Sequence, residues 1–381
     1  MSVSISPLAL YIHWPFCKIK CPYCDFNSYR RENVNQSDWI KAYLKGLEFW
    51  SSRLDKRQIT SIFFGGGTPS LLKPSYLDLL LKKIENLWGI NSDCEITVAA
   101  NPNSVSSNKF KNLHDIGINR VSVGIQALNN YDLENLGRDH NKSQAMKAIE
   151  IVNKCFENYN LDFIYGRQFQ EIIEWENELT QIILLKAPHL SLYQLTIEEN
   201  TNFFKLFKNG LLKGIPTSEE ASEMFYITKR LCEKGGYKQY ETSNFAKKNF
   251  ECRLNLSYWK YNDYIGIGPG AHGRIKIFGK KYATLEERNP DIWFKKTVSL
   301  KSETPKLTQL NNRITFEEKL IMNLRISENI PIDIFDKKKL NPVLMELVDN
   351  NLIKIEGNQI IIKENGKRML DYITRSLLDC Y

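Results

Sequence analysis

Long apolar runs are missing from this sequence: nothing approaches the roughly 18 to 20 residues that a membrane-spanning helix needs. The first residues also lack a basic stretch followed by an apolar segment and a small-residue cleavage site, so export is not expected and a cytoplasmic location is. Peripheral contact with a membrane surface stays open. A dense cysteine framework is missing as well. Of eight cysteines, Cys17, Cys21 and Cys24 fall within eight residues, while Cys94, Cys155, Cys232, Cys252 and Cys380 stand singly. That distribution suits a reducing compartment with a metal site at the cluster, not a disulfide scaffold. Charge of one sign is scarce: 52 Lys and Arg against 44 Asp and Glu leave a net +8. This mild excess favours anionic ligands without demanding nucleic acid. With 42% hydrophobic and 25% charged residues, the chain is neither disordered nor fibrous. Its 381 residues allow about two domains with a sizeable core.

What is present, over the first two thirds, is an alternation of short apolar, often β-branched runs with helix-period segments. The pattern predicts strands over 8–13, 61–64, 95–99, 120–124, 161–165 and 190–195. Helices are expected over 37–50, 74–88, 107–116, 142–157, 171–186 and 218–234, with Ser37, Ser107 and Ser218 as capping residues. Six βα units are too few for a closed eight-stranded barrel, so the expected class is α/β with an open, partial (β/α)6 barrel. Residues 1–236 form that core and 237–300 an aromatic, glycine-rich extension and linker, strand-like and without a clean helix over 237–279. Residues 301–381 read as a smaller helical domain whose hairpin turns at Glu356, Gly357 and Asn358, a winged-helix-like plan. Its 13 basic and 12 acidic side chains lack the excess that phosphate reading needs, so it is read as a cap or docking module, with no nucleic acid partner.

Cys17, Cys21 and Cys24 follow the first strand directly, which places three thiols in one loop at the C-terminal edge where α/β barrels gather their active sites. Three thiolates can hold three irons of a cubane cluster and leave the fourth open to a ligand. Zinc competes, but a structural zinc site wants four protein ligands; His13 is the one candidate nearby, and a histidine ending a strand is more often a hydrogen-bonded structural residue. Gly65, Gly66 and Gly67 after the second strand would let backbone approach a ligand closely, or form an ordinary turn. The run Gly266-x-Gly268-x-x-Ala271 is not a dinucleotide fingerprint, because a strand rather than a helix follows it.

The spacing C-x3-C-x2-C resembles that of the radical S-adenosylmethionine (SAM) superfamily. Around it, Phe64-Gly65-Gly66-Gly67-Thr68-Pro69, Ser122-Val123-Gly124-Ile125-Gln126, Leu136-Gly137-Arg138, Asp162 to Gly166, Leu192-Tyr193-Gln194, Tyr240 to Phe245 and Tyr264 to Gly273 resemble the branch containing oxygen-independent coproporphyrinogen III oxidase. The likeness covers about residues 8–275, and a C-terminal domain of matching type follows. Phe26, where the oxidase carries a further cysteine, places the chain with the HemW-type heme chaperones. The resemblance implies a [4Fe-4S] cluster on Cys17, Cys21 and Cys24, with SAM contacted by Tyr11, Tyr23, Gly66, Gly67, Thr68, Gln126, Arg138 and Asp162. It further implies heme, a heme-acceptor protein and an electron donor for the cluster. Porphyrinogen decarboxylation is the alternative, and a zinc-stabilised binding module the third reading.

Three positions depart from the family pattern. Ala99 replaces a glutamate that contacts the SAM methionyl group, Arg167-Gln168-Phe169 replaces a Leu-Pro-Gly turn, and Leu254 replaces the histidine of a heme-linked motif ending in Tyr258-Trp259. A buried iron porphyrin needs an axial His, Cys, Met or Tyr, which leaves Cys252 and His272 as the candidates flanking that segment.

Overall fold

A computed structural model of the chain describes residues 6–299, 305–326 and 328–381. The six expected strands form as β1 (Ser6–Trp14), β2 (Arg57–Gly66), β3 (Ile90–Ala100), β4 (Arg120–Gln126), β5 (Asn158–Tyr165) and β6 (His189–Gln194). Each pairs in parallel with the next in sequence. Sequential order leaves no reversal of winding, so all six C-terminal ends point into one partial (β/α)6 barrel mouth.

One face of these strands is apolar. Val98 of β3, Val121 and Val123 of β4, and Leu161 and Phe163 of β5 are buried with Leu77, Leu80 and Trp175 of the surrounding helices. Alternate positions carry Glu95, Thr97, Arg120, Ser122, Asn160, Asp162, His189 and Ser191. A parallel sheet covered on both faces normally reads as continuous hydrophobic runs; here the second face is a polar barrel interior.

The sheet continues past residue 236. Tyr264–Ile267 adds a seventh parallel strand on the other side of β1, and antiparallel strands extend both edges to twelve. A strand-like pattern is expected there, but not a place in the parallel sheet, because this strand arrives without a βα periodicity of its own. The helix Arg253–Trp259 is not expected from the sequence; it is seven residues long with no buried side chain and hence no apolar stripe. The expected caps shift upstream to Asn35, Ser106 and Thr217, and of these Thr217 alone accepts a bond, from the amide of Glu220.

Residues 312–381 have a separate core around Leu320, Leu340, Leu347, Ile360 and Leu377. The hairpin Ile353–Glu356 with Gln359–Ile362 is completed by Ile330–Pro331, giving the winged-helix-like plan. The second helix, Lys337–Asp349, carries Pro342 within it. The boundary expected at 300–301 lies outside the described residues. Polar contacts seat this core on the barrel: Glu318 accepts from Arg274 (2.7 Å) and Tyr261 (2.5 Å), and Lys229 pairs with Glu364.

Candidate functional site

β1 delivers the cysteine loop. Beyond Trp14 and Pro15, the two-residue strand Phe16–Cys17 pairs with Tyr29–Arg30, so residues 18–28 leave the barrel edge and return to the same place. His13 locks the return. The Asn27 carbonyl can only accept, so imidazole Nε2 donates to it (3.0 Å) and Nδ1 accepts from the Tyr11 hydroxyl (3.0 Å). Burial holds the His13 pKa down to about 4. With both ring nitrogens engaged, His13 is a structural latch and supplies no fourth metal ligand. Asn27 is itself pinned through its side-chain amide to the carbonyls of Pro269 (2.8 Å) and Arg288 (2.9 Å).

The glycine run has a reason that sequence alone did not reveal. Gly67 N donates to Trp14 O (2.5 Å) and Thr68 N to Phe16 O (2.9 Å), clamping the base of the cysteine loop. A Cβ on Gly67 would stand 2.6 Å from the Phe16 oxygen, and one on Gly66, whose φ is +104°, 2.7 Å from the His13 ring. The space these glycines leave is filled by the chain's own β1 and loop.

Three other elements converge on the thiols. Arg138 donates to Cys21 Sγ (3.4 Å), the Tyr23 hydroxyl (3.3 Å) and Gly124 O (3.0 Å). The Thr68 hydroxyl bonds Cys17, and Ser28 Oγ lies 3.7 Å from Cys24 Sγ. Burial, reinforced by the neighbouring sulfurs, pushes the Cys17 and Cys24 thiols up. Phe203 N holds the Pro22 carbonyl (3.0 Å) from outside. All eight cysteines are free. Among the described residues, no three His, Cys, Asp or Glu side chains gather as a single-ion site. A zinc ion would draw its thiolates onto one point at about 2.3 Å, whereas a cubane takes each thiolate on a separate iron. Three thiols on one loop are a donor set that a cubane could take.

Gly124 is the centre of a second group. A Cβ there would meet Gln126 Nε2 at 2.8 Å and an Arg138 terminal nitrogen at 3.5 Å, and its register partner on β5 is Asp162. Gln126 adopts φ +73°, a costly conformation for a residue with a side chain. Asp162 accepts from Asn160 (2.6 Å) and Ser122 (3.2 Å), and burial raises its pKa despite those bonds. The structure thus brings Gln126, Arg138 and Asp162 together, with Tyr23 attached through Arg138, while Tyr11, Gly66, Gly67 and Thr68 line the adjoining β1–β2 edge. Ser28 and Asn27 were not singled out in the sequence, where their closeness to the cysteines was the one signal, and Ser122 appeared in a motif without a role.

The departures are now placed. Ala99, the register partner of Ser122, presents a methyl group where the family has a carboxylate. Phe169 holds φ +59°, a conformation that glycine reaches without strain, with its ring over Gly214 and its amide donating to Gly214 O (2.6 Å). Arg167 is buried between Asp132 (2.7 Å) and Glu178 (2.5 Å) and donates to Ile164 O (2.6 Å). These tertiary contacts hold the turn in this chain.

Cys252 and His272 are not brought together. Cys252 is 1% exposed; its thiol contacts Glu95 Oε1 (3.4 Å), beside Arg120 at the start of β4, and burial pushes its pKa up to about 12. His272 is exposed at the start of its strand on the cysteine-loop side, two residues after Gly270, which abuts Asn27.

Residues 11–179 match the Radical SAM superfamily. The chain is 35% identical to the mitochondrial radical S-adenosyl methionine domain-containing protein 1 of Danio rerio, over 97% of this chain and 86% of that one. It is 39% identical to the heme chaperone HemW of Buchnera aphidicola (75% of each chain) and 38% identical to that of Escherichia coli (76% of each). The solved structure of coproporphyrinogen III oxidase HemN from Escherichia coli superposes with a TM-score of 0.81 at 19% identity, covering 98% of this chain and 90% of that one, which shows the fold. The chain belongs to the HemW-type heme chaperone family of the radical SAM superfamily.

Proposed function

We propose that this chain holds a [4Fe-4S] cluster on Cys17, Cys21 and Cys24, takes SAM at the fourth iron, and carries heme to an acceptor protein, with a separate electron donor serving the cluster. The observation that carries this reading is the cysteine loop: three free thiols on one loop at the barrel mouth, held there by His13, Gly67 and Arg138. When bound, a reduced cluster supplies an electron to the SAM sulfonium. Arg138 orients the Cys21 sulfur, and Gln126, Arg138 and Asp162 offer donors and an acceptor to the polar groups of SAM. The raised pKa of Asp162 leaves it able to hold a proton more readily than an ordinary carboxylate. Ala99 removes one anchor for the methionyl ammonium.

Heme comes to this chain from the names of its relatives. His272 suits it as axial ligand better than Cys252. Burial, with Arg274 and Arg288 nearby, lowers the imidazole pKa and keeps it neutral and able to ligate, whereas the Cys252 thiol is enclosed and protonated.

Anaerobic reconstitution followed by iron and sulfide analysis, SAM titration and heme titration on one preparation tests the proposal. Iron and sulfide in equal amounts are expected, lost on replacing any of the three cysteines. Zinc in place of iron, or iron content indifferent to Cys17→Ala, Cys21→Ala and Cys24→Ala, overturns it. Sustained decarboxylation of coproporphyrinogen with SAM and a reductant would make the chain an oxidase instead.

A further inference from the structure

The segment following β6 is peculiar in its exposure. A helix, Asn202–Lys208, is capped by Thr201 and fastened to the body at both ends: Phe203 is 3% exposed with its amide on Pro22 O, and Gly214 O holds the Phe169 amide. Between these anchors the chain turns outward. Gly210 N bonds Phe207 O and Leu211 N bonds Leu206 O, a tight backbone turn that carries three apolar residues at the tip. They are not covered: Leu206 is 38%, Phe207 53% and Leu211 65% exposed. Lys205, Lys208 and Lys213 flank them in the sequence and are exposed, and no Asp or Glu occurs between Glu199 and Glu219. Phe169, also exposed, flanks the tip through its ring on Gly214.

We propose that residues 202–213 are a shallow anchor for an anionic lipid surface, holding the barrel mouth against it. Three apolar tips flanked by lysines are far short of the roughly 20 to 30 residues a side that a standard protein interface uses. They do match what an interfacial segment needs, apolar side chains entering the headgroup boundary and ammonium groups meeting lipid phosphate. Lysine stems extend along the apolar surface while their heads stay in water. The absence of carboxylates selects a negatively charged surface, and the bond from Phe203 to Pro22 places that surface beside the cysteine loop. Among the described residues no helix is long and apolar enough to cross a membrane, so contact of this kind would be superficial. The inference is independent of the cluster and of heme.

The test is flotation of the full chain with vesicles of phosphatidylcholine alone and of phosphatidylcholine mixed with phosphatidylglycerol, at low and high salt. Binding is expected to the anionic vesicles, weakened by salt. It should fall at least about tenfold in the combined Leu206→Ser, Phe207→Ser and Leu211→Ser variant, and by about as much in the combined Lys205→Gln, Lys208→Gln and Lys213→Gln variant. Unchanged thermal unfolding and iron content of both variants would show that fold and cluster site are intact. Failure of the parent to float with anionic vesicles, or flotation that survives both variants, overturns the proposal. So does equal binding to soluble polyglutamate that ignores the apolar substitutions, which would point to an acidic protein partner.

Discussion

The guanidinium of Arg138 donates to the sulfur of Cys21 over 3.4 Å while also holding Tyr23 and the Gly124 carbonyl. The resemblance implied that this arginine meets SAM; in the structure it reaches the cysteine loop. A charged donor on a cluster thiolate withdraws electron density and raises the reduction potential. Arg138→Ala should therefore assemble a cluster whose midpoint lies lower by on the order of 50 mV, the equivalent of about 1 kcal/mol for one electron. Arg138→Lys, which keeps the charge but not the fork, should fall between. Redox titration followed by electron paramagnetic resonance reads the shift, and identical potentials in all three proteins would show that the contact has no electronic role.

Gly67 marks a steric limit. Alanine there would set its methyl group 2.6 Å from the Phe16 carbonyl, so either the loop or β1 must shift. A cost of about 1–3 kcal/mol is expected, together with a lower iron content after reconstitution, because the loop base is displaced. Gly89 provides the comparison: its φ is +77° and ψ 138°, but nothing lies within 4 Å of the added carbon, so Gly89→Ala should cost about 1–3 kcal/mol of backbone strain and leave iron content unchanged. Equal iron loss in both variants would show that the clamp is not specific.

The strands of the barrel and the three thiols were legible because both are local: periodicity spans a few residues and C-x3-C-x2-C spans eight. The supports of the loop were not. Asn27 is pinned to carbonyls some 240 and 260 residues away, at Pro269 and Arg288, and Gly66 and Gly67 are emptied by a neighbouring strand whose position only the sheet register fixes. Phe169 and Arg167 depart from the expected turn, and a ring on Gly214 and a buried pair of carboxylates hold the turn that forms instead. Such compensation is tertiary and leaves no pattern in the neighbouring residues.

His13 should give the cysteine loop a dependence on acid. An unfolded chain protonates this imidazole near the ordinary value of about 6.5, while in the folded chain burial delays protonation to about 4. The stability linked to His13 is thus fully present above pH 6.5 or so and is lost as pH falls toward 4, up to about 3 kcal/mol. Protonation would also deprive Tyr11 of its acceptor at Nδ1. Denaturant unfolding of the parent and of His13→Asn over that interval should show a steeper loss in the parent; parallel curves would mean that other groups carry the acid sensitivity.

Replacing the family's heme-linked histidine by Leu254 moves the question of the axial ligand to side chains that the fold leaves accessible. Cys252 could bind iron only after losing its contact with Glu95 and a proton that burial retains to about pH 12. His272 needs neither step, since it is exposed and its pKa is lowered. His272→Ala is accordingly expected to shift the Soret band of bound heme and to weaken binding by about tenfold or more. Cys252→Ala should leave the spectrum unchanged and cost about 1 kcal/mol or more of stability through the buried Glu95 contact it deserts. Spectra that respond to Cys252→Ala and not to His272→Ala would relocate heme to the N-terminal end of the barrel, on the side away from the cysteine loop.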